Sequence, residues 1–382
     1  MRILIDATPL LLRSAGVKNY TYYWIQNLWQ QARNERILTF PALGSLGTLD
    51  HERSIASPAR TFFHLASVFG ANRMPSLPLL RWMMPRADVF HVSNMIRFPP
   101  QGIKLTATIY DMTCRLMPEL HTAANREADE NMANIFRRAN RLVAISENSK
   151  QDAARLLKLD TDRIEVIYPG VPEVYFGAQG RPSERPYVLY LGAIEPRKNV
   201  DTLLDAWSGS RVRGDFDLII AGASGWASEK TLARLRSRPA GVRYAGYVRE
   251  DELPGLVAGA SAFVYPSLYE GFGFPVAQAM AAGVPVITSN TSCLPEVTAG
   301  AALLVDPKSP DDIRTAIDKL LASPGLQQEL RAAGLARAQK EYRWEICARK
   351  SLEFIWLERV DDAVVSALES EEARETSLAH AP

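Results

Sequence analysis

The sequence alternates short, mainly apolar runs with longer amphipathic segments along most of its length. Runs such as 2–6, 187–191 and 262–265 are rich in β-branched and aromatic residues, which is typical of strands buried on both faces of a parallel sheet. Segments with a helical period separate them, because parallel strands need crossover connections. The alternation predicts an α/β fold. The predicted strands are 2–6, 89–92, 105–110, 141–145, 164–167, 187–191, 217–221, 242–245, 262–265, 284–288 and 302–305.

Length and one irregular segment divide this pattern in two. A chain of 382 residues is long enough for two domains, and the stretch 177–186, rich in Gly, Pro, Ser and Arg, has the composition of an exposed linker. We predict a Rossmann-like lobe over 1–178, a second over 179–343, a helix over 344–360 that packs back on the first lobe, and a flexible acidic tail over 361–382. Two doubly wound lobes face each other across a cleft, where the functional site is expected.

Composition excludes several classes of protein. The chain is 47% apolar and 23% charged, with a formal net charge of +1, so neither a disordered chain nor a nucleic-acid-binding protein is indicated. Its three cysteines are far apart, which favours a reducing compartment and a cytoplasmic protein. Asp6 and Arg13 interrupt the apolar start, which we interpret as a strand and not as a signal peptide.

The two halves of the chain differ in charge. Residues 1–180 hold 21 Lys and Arg against 16 Asp and Glu, whereas the remainder holds 23 against 27. A basic first lobe suits phosphate groups or an anionic bilayer, although scattered surface arginines explain it as well. Within that half, the run 74–85 places Leu, Trp and Met beside arginines. This composition fits either contact with a membrane surface or ordinary core packing.

The segment 263–288 combines a strand, a glycine loop, a helix, a glycine stop and a second strand in one βαβ unit. Its loop reads Glu270-Gly-Phe-Gly-Phe-Pro. Gly271 and Gly273 let backbone N–H groups approach a ligand, and the helix that follows points its positive end at phosphate or hydroxyl oxygens. The same glycines also suit a tight turn alone. Glu270 favours the ligand, because a carboxylate in so apolar a segment is costly to bury without a partner.

A second loop carries two adjacent cations where a helix is expected to begin. Glu195-Pro-Arg197-Lys198-Asn199 follows the predicted strand 187–191. Cations oppose the helix dipole at this end, so their position is more readily explained if they bind an anion. A diphosphate leaving group fits, because its departure builds negative charge. Two solvated surface cations are the alternative.

These loops resemble those of the family 4 retaining glycosyltransferases of GT-B architecture, and the resemblance extends over nearly the whole chain. The segment Val143-Ala-Ile-Ser146-Glu-Asn-Ser149-Lys, near the end of the first lobe, belongs to it. The resemblance implies transfer of a hexosyl residue from a GDP- or UDP-linked sugar to a hydroxyl acceptor, with the anomeric configuration kept. No cofactor is implied beyond this donor substrate. The acceptor would be a glycan or a lipid-linked saccharide in surface polysaccharide or glycolipid assembly, reached in the cytoplasm or at the inner face of the membrane.

The resemblance also implies roles for individual residues. Arg197 and Lys198 would hold the diphosphate, and Glu270 would bind hydroxyl groups of the donor sugar. In the first lobe, the loop around Gly16 would approach the donor phosphates. The donor-binding positions implied in this way or expected in the neighbouring loops are Gly16, Tyr110, Gly271, Phe272, Gly273, Phe274, Gln278, Tyr247 and Val248.

Two positions depart from the pattern of the family. Gln278 stands where relatives usually carry the second Glu of a pair, a position that would hold ribose hydroxyls. An amide accepts hydrogen bonds more weakly than a carboxylate, so weaker donor binding is expected. Tyr110 stands where relatives commonly carry a His that touches the donor sugar. A phenol does not titrate near neutrality, so any acid–base role there passes to Asp111 or is absent.

Other candidate sites have plainer interpretations. Asp215-Phe-Asp217 has the form used by metal-dependent transferases, but it leads directly into a predicted strand. We interpret it as the start of that strand and expect no catalytic metal. His91 and His121 either face the acceptor or serve the structure.

Two other functions stay open. A nucleotide-sugar-binding protein or partner subunit with weak or no catalysis is suggested by Gln278 and Tyr110. A sugar-nucleotide epimerase of the same two-lobe architecture is less favoured, because no further set of acidic residues and histidines is evident around the cleft.

Overall fold

The computed structural model describes residues 1–13, 16–74, 82–93 and 95–354. The strands of its first sheet are β1 (Arg2–Asp6), β2 (Arg36–Phe40), β3 (Val89–Val92), β4 (Lys104–Ile109), β5 (Arg141–Ala144) and β6 (Ile164–Val166). Those of the second are β7 (Tyr187–Leu191), β8 (Asp217–Ala221), β9 (Val242–Gly246), β10 (Ala262–Tyr265), β11 (Val286–Ser289) and β12 (Ala302–Val305). Both sheets are parallel, in the orders β2-β1-β3-β4-β5-β6 and β12-β11-β10-β7-β8-β9. The predicted α/β fold with two doubly wound sheets is confirmed.

Helices connect the strands. They are α1 (Gly16–Gln31), α2 (Pro58–Arg73), α3 (Thr113–Leu116), α4 (Ala123–Arg138), α5 (Glu147–Leu157), α6 (Val200–Ser208), α7 (Glu229–Arg236), α8 (Leu253–Ala258), α9 (Phe274–Ala281), α10 (Leu294–Thr298), α11 (Pro310–Leu321) and α12 (Pro324–Glu341). A last helix, α13, covers 344–354. Ser146 caps the N-terminus of α5, because its hydroxyl accepts a hydrogen bond from the N–H of Ser149 (3.0 Å). None of the helices in the described ranges is long and apolar enough to cross a membrane.

The sequence pattern does not predict β2 or α2. Strand β2 lies at the edge of its sheet and is buried at only two of its five positions, so its alternation is weak. Helix α2 turns aromatic side chains toward solvent, which hides the usual contrast between an apolar and a polar face. Three predicted segments lie at least partly outside the described residues. They are the loop around Gly16, at 14–15, the run 74–85, at 75–81, and the chain from 355 onward.

Strand order positions the cleft. In the second sheet β8 and β9 lie on one side of β7, whereas β10, β11 and β12 lie on the other. The loops that leave β7 and β10 therefore diverge at the carboxyl edge and leave a crevice between them. The corresponding reversal in the first sheet falls between β1 and β3, where the buried carboxylate of Asp6 accepts hydrogen bonds from the hydroxyls of Thr8 and Ser93, each at 2.6 Å.

The two lobes contact each other beside this edge. Glu296 of the second lobe accepts hydrogen bonds from the backbone N–H groups of Glu147 (2.6 Å) and Asn148 (3.1 Å), at the N-terminus of α5. The Tyr269 hydroxyl donates to Asp152 (2.6 Å) and accepts from the Asn148 amide (3.1 Å). A carboxylate at a helix N-terminus is favourable because it meets free N–H groups and the positive end of the helix dipole. These contacts fix α5 against the second lobe.

The chain returns to the first lobe at its described end. The indole N–H of Trp24 in α1 donates to the hydroxyl of Ser351 in α13 (3.0 Å), and the Tyr20 ring packs edge-on against Trp344 with centroids 5.6 Å apart. At Gly170, a Cβ atom would overlap the backbone nitrogen of Trp344. Glycine therefore allows the outgoing and the returning chain to cross closely.

We predict that Glu296→Gln loosens the contact between the lobes. Loss of the charge weakens two charge-assisted hydrogen bonds to α5, which should lower the free energy of unfolding by about 1–2 kcal/mol. In small-angle X-ray scattering, the unliganded variant should have a larger radius of gyration than the wild type. Glu329→Gln, which changes an exposed glutamate of α12, is the control. Identical scattering from all three proteins would contradict the proposed contact.

Candidate active site

A fixed turn at the end of β7 carries both cations of the second loop. The 3-10 turn Pro196–Lys198 ends at Asn199, which has a φ of 61°, a left-handed conformation that Asn tolerates better than most residues. The Asn199 amide donates to the carbonyl of Pro266 (3.0 Å), in the loop after β10. This hydrogen bond ties the loop of Arg197 and Lys198 to the neighbouring loop across the crevice.

Glu270 is the centre of a charge cluster with these cations. Its Oε1 accepts hydrogen bonds from Lys198 Nζ (2.6 Å), Ser267 Oγ (2.6 Å) and the Tyr265 hydroxyl (3.0 Å). Its Oε2 lies 3.1 Å from the guanidinium of Arg197. Only 7% of Glu270 is exposed. The structure thus brings together the three residues that the sequence singled out in two separate loops.

Burial and neighbouring charges act in opposite directions on this cluster. Burial alone raises the pKa of Glu270, but the charges of Lys198 and Arg197 and the hydrogen bonds from Lys198 and Ser267 outweigh it and lower the pKa to about 2. Burial lowers the pKa of Lys198 against the attraction of Glu270. Burial also opposes the charge of Arg197, yet Glu270 and Glu195 outweigh it and raise the pKa. Glu270 is therefore ionised throughout the physiological range.

Several supporting residues of the cluster were missed in the sequence. Glu195 accepts from Arg197 (2.9 Å), and the carbonyl of Tyr269 accepts from the same guanidinium (2.6 Å). The Tyr265 hydroxyl accepts from Lys198 (2.7 Å). Only their positions in the sequence could have indicated this supporting role. Glu195 precedes Arg197 by two residues, and Tyr265 ends the strand before the glycine loop.

The first lobe meets the glycine loop at Gly271. A Cβ atom there would overlap the carbonyl oxygen of Tyr110 and lie 3.0 Å from the Cβ of Asp111. The Ser149 hydroxyl bridges the same contact, 3.1 Å from the Tyr110 carbonyl oxygen and 3.3 Å from that of Gly271. The contact between the lobes therefore requires glycine at this position. The approach of the backbone to a ligand, which the sequence predicted, is a separate reason for glycine here.

The rest of the glycine loop starts α9. Gly273 has a φ of 88°, and a Cβ atom there would lie 2.7 Å from a side chain of α10, so this position also requires glycine. Phe272 is buried against Phe274 and Tyr342, with ring centroids 5.4 and 5.3 Å away. Gln278 lies within α9 and is 6% exposed. Phe272 is thus a core side chain, which leaves its backbone N–H as the group that can face a ligand.

Tyr110 and Asp111, the two predicted site residues that follow β4, have different surroundings. The Tyr110 ring packs edge-on against Tyr20 with centroids 5.4 Å apart, and burial raises the pKa of its phenol against the effect of the Thr21 and Thr108 hydroxyls. Asp111 Oδ1 accepts from the backbone N–H and the hydroxyl of Thr113.

Three predicted donor-binding residues stand apart from the charge cluster. Gly16 begins α1, where a Cβ atom would meet nothing within 4 Å. Tyr247 is 45% exposed, and Val248 follows it after β9. Within the described residues, the hydrogen bonds and ion pairs of the cluster do not reach Gly16, Tyr247 or Val248.

The two histidines have different surroundings. The ring nitrogens of His91 lie 2.9 Å from the hydroxyls of Thr106 and Thr108, and burial lowers its pKa to about 3. His91 therefore serves the structure as a neutral, hydrogen-bonded core residue. His121 stacks against Trp226 of the second lobe, with ring centroids 6.2 Å apart.

The Asp-x-Asp segment lies away from the cluster. Asp217 is the first residue of β8 and lies 3.6 Å from Arg185, so it sits at the amino edge of the sheet, opposite the crevice. Across the parts of the chain that the structure describes, no three His, Cys, Asp or Glu side chains are grouped to hold a metal ion.

We predict that the stabilising contribution of Glu270 is lost in acid. The pKa of its carboxyl falls from an ordinary value of 4.5 to about 2 in the folded chain, so the contribution is complete above about pH 4.5 and fades as the pH falls toward 2. In urea unfolding, Glu270→Gln should lower the free energy of unfolding by about 3 kcal/mol at neutral pH and by much less near pH 3. Glu329→Gln is again the control. A deficit of equal size at both pH values would rule out an ionised Glu270.

Two family models match the chain side by side. Residues 14–174 match the model described as glycosyltransferase family 4, and residues 173–337 match the one described as glycosyl transferases group 1. The two matches meet where the first sheet has ended and the second has not begun.

Curated relatives agree with these matches. O-antigen chain mannosyltransferase B of Escherichia coli is 28% identical, over 92% of this chain and 98% of the relative. The GDP-mannose-dependent alpha-(1-6)-phosphatidylinositol monomannoside mannosyltransferase of Mycobacterium tuberculosis is 34% identical, over 48% of this chain and 50% of the relative. Serotype-specific mannosyltransferase WbdA of Escherichia coli is 29% identical over 60% of this chain, and the match spans only 30% of WbdA.

Solved structures share the fold. Sucrose-phosphate synthase from Thermosynechococcus elongatus superposes with a TM-score of 0.71 at 19% identity, over 95% of this chain and all of that one. Anabaena HepE in complex with UDP-glucose gives a TM-score of 0.67 at 16% identity, over 93% and 99% of the two chains. The family models and the relatives together with this fold assign the chain: it is a glycosyltransferase that belongs to family 4 and has the GT-B architecture.

Proposed function

We propose that the chain is a retaining mannosyltransferase, which moves a mannosyl residue from a nucleoside diphosphate mannose to a hydroxyl group without a metal ion. The observation that carries this proposal is the buried cluster of Arg197, Lys198 and Glu270 at the point where the strand order of the second sheet reverses. Open α/β sheets bind nucleotides in such a crevice. The cations supply the positive charge that a departing diphosphate needs.

The hydrogen bonds within the cluster leave one N–H group of Lys198 and one lone pair of Glu270 free to bind the donor nucleotide sugar. An ammonium group has three N–H donors, and Lys198 uses two of them on Tyr265 and Glu270. The third is free to bind a phosphate oxygen in this arrangement. Glu270 Oε1 already accepts three hydrogen bonds, whereas Oε2 contacts Arg197 and retains a lone pair for a sugar hydroxyl. The proposed roles of Lys198 and Glu270 thus use a hydrogen-bond donor and a hydrogen-bond acceptor that have no partner within the cluster.

The proposed transfer takes place on one face of the sugar. The bond between the anomeric carbon and the phosphate oxygen breaks, and the acceptor oxygen forms a bond to that carbon on the same side. The acceptor proton passes to the departing phosphate, while Arg197 and Lys198 stabilise the negative charge on the diphosphate. This step needs no carboxylate nucleophile, and it preserves the anomeric configuration.

The first lobe supplies the other wall of the proposed site. The backbone at Tyr110 lies against Gly271, so Asp111 is the carboxylate that this contact brings to the glycine loop. We assign Asp111 to the orientation of the acceptor hydroxyl. Because Ser149 bridges the two lobes at this point, closure excludes water from the transfer.

The remaining donor contacts are proposed from position. Backbone N–H groups of Gly271, Phe272, Gly273 and Phe274 lie at the start of α9, where a helix favours anions. The amide of Gln278 in the same helix would accept from a ribose hydroxyl. Gly16, Tyr110, Tyr247 and Val248 are proposed to line the donor site once the nucleotide sugar is bound.

The relatives favour mannose and a surface polysaccharide. O-antigen chain mannosyltransferase B and WbdA are mannosyltransferases by name, and GDP-mannose is the donor named for the mycobacterial relative. UDP or UDP-glucose is the ligand named for HepE. We therefore propose GDP-mannose as the first donor to test and a UDP-sugar as the second. A glycan or lipid-linked saccharide at the cytoplasmic face of the membrane is the proposed acceptor.

One observation favours a second candidate function. The Tyr110 ring packs edge-on against Tyr20 and lies near Thr21 and Thr108. As a phenol it offers no group that titrates near neutrality, where relatives commonly carry a histidine. With Gln278 in place of a carboxylate, the chain would then bind a nucleotide sugar with weak or no transfer, as a partner subunit.

Product analysis distinguishes these functions. The chain is incubated with GDP-, UDP-, ADP- and dTDP-linked sugars and a mannose-containing oligosaccharide acceptor, and released nucleoside diphosphate and product are measured. Mannosyl transfer is expected from one donor, and NMR of the product should show the anomeric configuration of the donor. An inverted linkage would exclude the same-face step. Donor binding without either release or transfer would support the partner-subunit alternative.

We predict that Lys198→Ala lowers kcat/KM by at least about tenfold, which corresponds to about 1.4 kcal/mol of transition-state stabilisation. The loss should fall on both KM and kcat, because the diphosphate is already charged in the bound donor and gains further negative charge as it leaves. Lys230→Ala, which changes an exposed lysine of α7, is the matched control. Circular dichroism verifies that both variants are folded. An unchanged kcat/KM in folded Lys198→Ala would exclude Lys198 from the diphosphate site.

A further inference from the structure

Exposed apolar side chains are concentrated in one region of the first lobe. Of the nine large apolar side chains exposed in the described residues, six lie between positions 62 and 98. They are Phe62, Phe63, Phe69, Met74, Trp82 and Phe98. Two of them are exposed by three quarters, Phe62 at 77% and Trp82 at 75%. A concentration of this kind marks an interaction surface, because scattered single exposures are the norm.

Helix α2 presents the centre of this surface. Its inner face packs on the first-lobe core through Val68 and Ala71. Phe62 and Phe69 are seven residues apart and share the outer face, and Phe63 lies beside them. The helix is therefore apolar on both sides, although only one side has a partner within the described part of the chain.

A groove runs beside this outer face. Its volume is about 880 Å³, and Phe62, Leu65, Phe69, Ile96 and Met132 are among the side chains that line it. Helix α4 and the loop after β3 form its far side. Asn72 of α2 holds that loop in place, because its amide group donates to the Met95 carbonyl (2.9 Å) and accepts from the Arg97 N–H (2.9 Å). The groove is thus a built feature at the carboxyl edge of the first sheet.

The charges of α2 select among possible partners. The helix carries Arg60 and Arg73 and contains no Asp or Glu. The Arg73 guanidinium lies 5.1 Å from the centre of the Phe69 ring, so a positive charge stands directly beside an exposed aromatic side chain. Aromatic rings flanked by arginines suit the interface of an anionic bilayer. A second copy of this helix would add two further arginines and no acidic side chain.

We propose that the outer face of α2 binds the surface of an anionic phospholipid bilayer, with the rings of Phe62, Phe63 and Phe69 inserted between the lipid headgroups. Arg60 and Arg73 contact the lipid phosphates. The groove beside the helix opens on the same face and receives acyl chains. The carboxyl edge of the first sheet, which faces the cleft, is thereby held close to the bilayer.

This surface lies one element earlier than the run 74–85 that composition suggested. Lipid binding by this face does not depend on the transfer reaction, because the exposed aromatic side chains, the groove and the charge of α2 are sufficient for it. A chain without transferase activity would still bind lipid through this face. A chain that does not bind lipid would still transfer mannose to a soluble acceptor.

Vesicle flotation tests the proposal with the full chain and no donor or acceptor. Wild-type protein is mixed with vesicles of phosphatidylcholine, alone or with phosphatidylglycerol. The triple variant Phe62→Ser, Phe63→Ser, Phe69→Ser should bind the anionic vesicles at least about tenfold more weakly, because each buried ring contributes to binding. The double variant Val174→Ser, Leu304→Ser removes two exposed apolar side chains elsewhere and should bind as the wild type does.

A charge variant and a light-scattering measurement complete the test. Arg60→Gln, Arg73→Gln should lose the preference for anionic vesicles while retaining the phenylalanines. Wild-type protein that fails to float, or a folded triple variant that floats equally well, would overturn the proposal. So would a wild-type dimer in solution that the triple variant converts to monomer without any change in flotation, because the face would then be a subunit interface.

Discussion

The buried carboxylate of Glu270 constrains the loops at the carboxyl edge of the second sheet. It is ionised and 7% exposed, and a buried ion pair that loses one partner costs about 3–5 kcal/mol. The loops of β7 and β10 must therefore hold Arg197 and Lys198 against it. The Asn199 amide fixes the turn that carries these cations to the loop after β10, and the strand order places both loops at one edge of the sheet. The charges that stabilise this carboxylate are the same ones proposed to meet a diphosphate, so fold and function depend on one cluster.

The contact between the lobes depends on the same loop. Gly271 follows Glu270 directly, and its missing side chain lets the first-lobe backbone at Tyr110 approach. Glu296 secures α5 beside this point through two backbone N–H groups. Any change in the glycine loop therefore affects both the charge cluster and the wall that the first lobe contributes. This coupling explains why Asp111, distant in sequence, belongs to the same proposed site.

Periodicity predicted the parallel strands, because strands buried on both faces give continuous apolar runs. It did not predict β2 or α2, since β2 is half-buried at the edge of its sheet and α2 carries exposed aromatic side chains on its outer face. The chemistry of Arg197, Lys198 and Glu270 was evident from charges in apolar loops. Their mutual contacts were not, because residues 72 or more positions apart meet only through the sheet order. His91 left two interpretations open until burial and its threonine partners decided between them.

In the proposed reaction, the cluster of Arg197, Lys198 and Glu270 forms the donor site. Isothermal titration calorimetry of the wild type with GDP-mannose and a panel of other nucleotide sugars measures whether this site binds a donor. We expect one of them to bind with a Kd below about 1 mM, and Lys198→Ala to weaken this binding at least about tenfold. No binding at millimolar concentration by any nucleotide sugar, or equal affinity in folded Lys198→Ala, would contradict it.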